Sequence, residues 1–372
     1  MRLSGLYAKE QQAGEIAALV KSSRAFTSTL PKARTAKIVR RLIDDLAKIP
    51  GTVDMQVELV EDGIAWSRKE KRTFLRQRLE TRLAALHLER QAYTDALALT
   101  EKLVREVKRL DDKLLLVEIQ LLESHVHYAL LDVPKARAAL TSSRTAANAV
   151  YCPPELQMQI DMQAGKLHAE EGDYKTAFSY FFEAFETAHS LEDADATQAL
   201  KLMLLCKIMA DQSADVHALI SSKTAIQYAG STVEAMKAVA EAHQKRSVHA
   251  FEAAVKNFSA ELEEDKLVAK HFKKLYDGLL ESNLIRLIEP FSQVELTHVA
   301  KLIDMPAQAV EDKLSQMILD KRFEGVIDQS AGNLIVYPSK EDDKTYPLAL
   351  ETIQNLADVV DSLFEKANTL RV

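Results

Sequence analysis

Three stretches of this chain carry the same local pattern at a fixed interval, and that period constrains the fold more than any other feature. Tyr93, Val133 and Tyr174 stand 40 and then 41 residues apart, and Ala96, Ala136 and Ala177 keep the same spacing. In each stretch a larger side chain precedes a small alanine by three positions. The two therefore share one helix face, and the alanine lets a neighbouring helix approach closely. A unit of this length reads as a helical hairpin that cannot bury its apolar face alone, so stacking successive hairpins must supply the core.

The predicted fold is accordingly mainly α: a right-handed, TPR-like helical solenoid over residues 1–260. Its period is longer than the roughly 34 residues of a standard tetratricopeptide repeat, which implies longer helices or less regular hairpins. Only ten Gly and nine Pro interrupt 372 residues, leaving long runs of residues that lose little side-chain entropy in a helix. Asp111-Asp112 precedes an apolar pattern at Leu114, Val117, Leu121, Leu122 and Val126, and Pro153-Pro154 precedes Glu155 as a first-turn proline does. Ser67-x-x-Glu70, Ser231-x-x-Glu234 and Ser292-x-x-Glu295 fit the capping box and are read as helix starts.

Residues 261–340 change character. A helix ending at Pro290 is followed by a short helix with Leu296, Val299, Ala300 and Ile303, a Met305-Pro306 turn, and a second helix with Val310, Leu314, Met317 and Ile318. Gly325 to Ile327 and Leu334 to Tyr337 then read as two strands around a Ser330-Ala331-Gly332-Asn333 loop. This is the layout of a winged helix, yet the segment from Leu284 to Tyr337 holds five basic residues (Arg286, Lys301, Lys313, Lys321, Arg322) against eight acidic ones. A DNA-reading helix must offset phosphate repulsion and bring donors to base edges. An acidic module of this layout is expected to bind protein.

Residues 341–372 form a charged linker, Lys340 to Lys344, and a terminal helix. Ile353, Leu356, Val360, Leu363, Ala367 and Leu370 alternate by three and four, which fits a coiled-coil or bundle seam. About three heptads make a marginal helix in isolation, so the seam needs partner helices or its own chain.

Catalytic signatures are missing: the sequence has no G-x-x-x-x-G-K-[ST], no G-x-G-x-x-G and no H-E-x-x-H. Glu123, His125 and His127, and His168 with Glu171, are weak metal or catalytic candidates beside a plain hydrogen-bonding role. Cys152 and Cys206 are too few for a disulfide scaffold and are read as reduced packing residues. No apolar run reaches 18 residues and the Met1 to Gly5 start leads into a polar stretch, so an intracellular protein is expected. The overall charge of −7 is uneven, with residues 1–90 net basic and the remainder net acidic. Around Trp66 and Phe74, the residues Arg68, Lys69, Lys71, Arg72, Arg76, Arg78 and Arg82 form a basic stretch. It reads as a solvated face, a surface for an acidic protein, or a nucleic-acid stripe.

Solenoid, winged helix and bundle helix in this order resemble the PCI family, whose members are scaffold subunits of the proteasome lid, the signalosome and a translation initiation factor. The run Lys313-Leu314-Ser315-Gln316-Met317-Ile318-Leu319-Asp320-Lys321, with Ile327-Asp328-Gln329, Lys344-Thr345-Tyr346, Ala349-Leu350-Glu351-Thr352-Ile353-Gln354-Asn355 and Tyr7-Ala8-Lys9-Glu10-Gln11, is most similar to the proteasome-lid branch. The resemblance implies a non-catalytic scaffold of the 19S regulatory particle in ubiquitin-dependent protein degradation, in cytoplasm and nucleus, without a cofactor. Implied partners are the other lid PCI subunits and the lid bundle helices, an ATPase subunit of the base, and the α-ring of the 20S core. Neither nucleic acid nor membrane is an expected partner. The wing strands, with Val326, Ile327, Leu334, Ile335 and Val336, would supply an edge to neighbouring modules. Ile353, Leu356, Val360, Leu363 and Leu370 would enter the bundle, and Arg68, Lys71, Arg72, Arg76 and Arg78 would offer a basic solenoid face. Members of the family also begin with further helical residues before the counterpart of Tyr7, so the N-terminal part of the solenoid is expected to be incomplete here. The alternatives are a signalosome scaffold or a nucleic-acid-binding winged helix.

Overall fold

A computed structural model of the chain describes residues 7, 11–28, 31–47, 49, 51–258, 266–303, 305–329, 332–337 and 345–370. The helices are α1 (Ala13–Ser28), α2 (Lys32–Ala47), α3 (Val53–Lys69), α4 (Thr73–Glu89), α5 (Tyr93–Leu110), α6 (Lys113–Ala129), α7 (Val133–Asn148), α8 (Pro154–Glu171), α9 (Tyr174–Leu191), α10 (Asp195–Met209), α11 (Ser213–Ile220), α12 (Ser231–Gln244) and α13 (Val248–Asn257). They are followed by α14 (Lys266–Ile288), β1 (Gln293–Glu295), α15 (Leu296–Ile303), α16 (Ala307–Leu319), β2 (Gly325–Asp328), β3 (Asn333–Val336) and α17 (Thr345–Leu370). Two compact units result: Met1–Lys245 with His249–Lys273, and Arg246–Val248 with Lys274–Val372. No helix among the described residues is long and apolar enough to cross a membrane.

In the first unit successive helices from α1 to α12 pack on one another, and α6 also touches both α4 and α8. The unit is therefore a two-layered stack of hairpins in which alternate helices form one row, as the repeat predicts. Tyr93, Val133 and Tyr174 are the first residues of α5, α7 and α9, and Ala96, Ala136 and Ala177 are each fully buried. The aspartates of the pattern explain where helices begin: Asp112, Asp132 and Asp173 accept hydrogen bonds from the backbone N–H groups of Leu115, Lys135 and Thr176, satisfying a donor that the first turn leaves unpaired. Side-chain hydrogen bonds from Lys135 and Thr176 chiefly hold the Asp132 and Asp173 carboxyls below the usual carboxylate range, and the backbone bonds add to the effect.

The rows are joined by close packing. A Cβ at Gly165 of α8 would lie 2.6 Å from the Phe181 ring of α9, so glycine here is what lets a fully buried phenylalanine sit against the backbone. Ser124 Oγ donates to the Ala136 carbonyl at 2.9 Å and accepts from Gln163 Nε2 at 3.3 Å, while Ser143 Oγ donates to the Val117 carbonyl at 3.1 Å. These bonds satisfy buried polar groups across α6, α7 and α8, which would otherwise be costly. Cys206 is buried, its thiol pushed up to about 12 by desolvation, and Cys152 is half-buried; both are free.

Of three expected helix starts one holds and two are corrected. Helix α12 begins at Ser231, with Gly230 in the cap position and no side-chain cap bond. Ser67 lies inside α3, buried, its hydroxyl donating to the Ile64 carbonyl at 2.8 Å. Ser292 precedes strand β1 instead of a helix. In these two cases packing or strand pairing overrides a four-residue pattern that a short sequence matches easily.

The second unit is built on α14, α15 and α16 packed against a three-stranded antiparallel sheet of order β1-β3-β2. Leu284, Val299, Leu314, Met317 and Leu334 are among its buried core. Strand β1, absent from the two-strand expectation, pairs Gln293, Val294 and Glu295 with Ile335, Leu334 and Asn333. Its three residues are too few to show an alternating pattern.

Candidate protein-interaction surfaces

The second helix of the winged-helix unit, α16, is where a DNA-binding relative would place its donors. Here Lys313 is turned inward to Glu281 of α14 at 2.9 Å, with its side chain only 16% exposed, and Arg322 approaches the same carboxylate at 3.9 Å. The exposed positions of α16 include Gln308, Asp312, Ser315, Gln316 and Leu319, and Glu311 accepts from Gln329 Nε2 at 2.6 Å. A helix face of this charge repels phosphate.

The sheet presents its edges differently from the expectation. Leu334, Ile335 and Val336 belong to β3, which is paired on both sides, and Leu334 is fully buried. These three residues are therefore central, not an edge, because β1 completes the sheet. Val326 and Ile327 lie on β2, an outer strand, with Val326 49% exposed. Beside β2 runs a shallow groove of about 610 Å³ whose lining includes Glu311, Asp312, Asp328 and Val326. Gly325 begins this strand because a Cβ there would meet the Ile335 carbonyl oxygen at 2.8 Å and the Phe323 ring at 3.0 Å.

Along α17 every described side chain is exposed. Ile353 and Leu356 are each 65% exposed, and Val360 and Leu363 show more than half of their surface. The side chain of Leu370 lies outside the described residues, as does the linker at 340–344. The run of large apolar side chains along α17 is thus more than half in contact with water.

The basic solenoid stretch is corrected more substantially. Arg68 pairs with Glu80 at 2.8 Å, Arg76 with Glu80 at 3.8 Å and also with Glu106, and Arg78 with Glu118 at 3.7 Å. Arg72 is buried, its guanidinium 5.0 Å from the Trp66 ring. Lys71 is exposed in the turn after α3, with a φ of 54°. Arg68, Arg76 and Arg78 thus tie helices of the solenoid together, α3 to α4, α4 to α5 and α4 to α6 respectively. Glu80 lies within the stretch itself, but Glu106 and Glu118 stand 30 and 40 positions from their arginines, so the local sequence shows only the positive half of those two pairs.

The weak metal candidates disperse. His125 is kept neutral by burial and by the Lys166 charge, its pKa lowered to about 4. His168 stacks on Tyr180 at 5.4 Å, and Glu171 is paired with Arg137. Among the described residues no cluster of His, Cys, Asp or Glu could hold a metal ion.

Comparison with known families follows this geometry. Residues 1–90 match the 26S proteasome regulatory subunit RPN6 N-terminal domain, 255–338 the PCI domain, and 342–368 the 26S proteasome subunit RPN6 C-terminal helix domain. The chain is 56% identical over 359 residues to the 26S proteasome non-ATPase regulatory subunit 11 homolog of Arabidopsis thaliana, spanning 96% of this chain and 86% of that protein. Identity is 50% over 371 residues to the Dictyostelium discoideum subunit 11, spanning 100% of this chain and 90% of that protein. It is 44% over 375 residues to the Saccharomyces cerevisiae 26S proteasome regulatory subunit RPN6, spanning 100% and 86%.

Proposed function

The chain belongs to the family of 26S proteasome non-ATPase regulatory subunit 11, also named RPN6, and from that premise we propose that it works without catalysis, as a joint between neighbouring subunits of the regulatory-particle lid. It is a scaffold subunit of that lid, and the signalosome alternative is not favoured. The observation that carries the mechanism is the apolar seam of α17, exposed along its whole described length. Burying four such side chains against partner helices would stabilise an assembly by several kcal/mol, at about 1.5–3 kcal/mol per fully buried side chain, and that gain requires neighbours.

The winged-helix unit adds direction. Its outer strands β1 and β2 have no further strand partner among the described residues, and they are chemically different, so two neighbours would meet different edges. Heterologous contacts of this kind extend side by side into an arc instead of closing as a symmetric dimer. Glu311, Asp312 and Asp328 beside β2 favour a neighbour with basic residues at that junction. The solenoid would brace the base ATPase and the α-ring of the 20S core, and the protein would act in cytoplasm and nucleus.

Co-expression of the lid subunits tests the joint. Leu356→Glu with Leu363→Glu places two charges in the seam and is expected to exclude this subunit from the purified lid while its helical content stays unchanged. Normal incorporation of the double variant would overturn the assignment.

A further inference from the structure

Three aromatic side chains from separate segments of the second unit, Phe291 after α14, Phe323 before β2 and Tyr337 after β3, line one cavity of about 560 Å³. Backbone bonds hold these segments together: the Val336 N–H donates to the Ser292 carbonyl at 3.0 Å and the Tyr337 N–H to the Glu324 carbonyl at 2.8 Å. Gly325 leaves room for the Phe323 ring, which a Cβ there would meet at 3.0 Å. Phe291 and Tyr337 are 54% and 49% exposed and stand outside the unit's core, so neither ring is needed to fill it. Ile285, Ile288 and Val336 complete the apolar wall.

The charges of the lining set the sign of a guest. Neither the Glu289 nor the Glu324 carboxylate has a hydrogen-bond or ion-pair partner among the described residues. Arg322 also lines the cavity, but its guanidinium approaches Glu281 of α14, which does not line it, at 3.9 Å. Two carboxylates thus stand against one guanidinium that is drawn to a third, and a positive guest is favoured. The hydrogen bonds on offer narrow its kind. Glu289, Ser292, Arg322, Glu324 and Tyr337 are all exposed, so among the described residues no buried side-chain acceptor lines the cavity. A lysine ammonium brings three N–H donors and an arginine guanidinium five, and donors pressed against rings and aliphatic carbons go unpaired at a cost. A trimethylammonium group has no donor to satisfy and is attracted to the negative faces of aromatic rings. We infer that this cavity receives a methylated ammonium group, carried by a lysine side chain or by a free choline-like molecule. The inference goes beyond the scaffold role and does not depend on it.

The test titrates the full chain with choline and with its uncharged carbon isostere, in which a tert-butyl group replaces the trimethylammonium. N-acetyl-trimethyllysine amide and N-acetyl-lysine amide form the second pair, and every ligand is followed through its own methyl signals by saturation-transfer NMR. Each trimethylammonium ligand is expected to bind saturably and at least about fivefold more tightly than its paired control. Phe291→Leu with Tyr337→Leu keeps both sites apolar and removes two rings. It should weaken choline about tenfold while leaving the isostere unchanged, a split that misfolding cannot produce. Tighter binding of the trimethyllysine derivative than of choline would assign the site to protein side chains, and the reverse order to a free ligand. Absence of saturable binding, equal affinity for choline and its isostere, or a double leucine variant that holds choline as well as the unaltered chain would each overturn the inference.

Discussion

The solenoid and the C-terminal helix use the same residue types to opposite ends. In α9, Phe181, Ala184 and Ala188 are fully buried between neighbouring helices. In α17, Ile353, Leu356 and Leu363 repeat with comparable regularity and remain in water. Periodicity fixes which face of a helix is apolar; it does not say who covers that face. In the solenoid the next hairpin, 40 or so residues on, covers it, whereas the described side chains of α17 are covered by no described element of its own unit. The polar groups differ in parallel. Buried serines and glutamates of the solenoid find partners within the chain, while those of the sheet edge and tail face outward.

The comparison breaks if the solenoid's interior proves dispensable. Phe181→Ala should have the largest effect, lowering unfolding free energy by about 3–5 kcal/mol through lost burial and the cavity left against Gly165; a thermal melt that does not move would mean that α8 and α9 are not packed as described. Next comes Glu80→Ala. Its carboxylate is 1% exposed and engages both Arg68 and Arg76, so its loss should cost about 2–3 kcal/mol, seen as a lower denaturant midpoint with an unchanged slope.

A smaller change of opposite sign is expected at Asp161. Burial raises its pKa from 3.8 to about 6, against the lowering effect of Gln157. The folded state therefore binds more protons than the unfolded state between those values, and stability falls as pH rises through that window. Asp161→Asn keeps an acceptor for Gln157 and should stabilise the chain at pH 7 by about 1–2 kcal/mol, with the gain vanishing below about pH 4. A gain that persists at low pH would assign the effect to packing. The smallest stability effect belongs to Val326→Glu on the outer strand β2, within about 0.5 kcal/mol for an exposed site. It should nevertheless weaken incorporation next to the neighbouring lid subunit, in co-expression yields, by adding charge to an already acidic edge. Unchanged incorporation would remove β2 from the joint.

Much of this was legible in the sequence because it is periodic. The marks at Tyr93, Val133 and Tyr174 locate three helix starts, and the three-four alternation from Ile353 defines the seam of α17. What escaped is long-range or very short. Arg76 and Arg78 read as a basic face because Glu106 and Glu118 come from other helices. Strand β1 escaped with its three residues, and with it the central place of β3. The inward turn of Lys313 toward Glu281 strengthens the argument against DNA beyond what net charge could supply, and only folding brings those two together.

Affinity purification of the tagged full chain from cells, compared with a version lacking residues 347–372 and read by mass spectrometry, tests the division between a self-sufficient solenoid and a partner-dependent tail most directly. The account predicts that the full chain recovers lid, base and core subunits and that the shortened chain, still folded, recovers none of them. Equal recovery without the tail would contradict it.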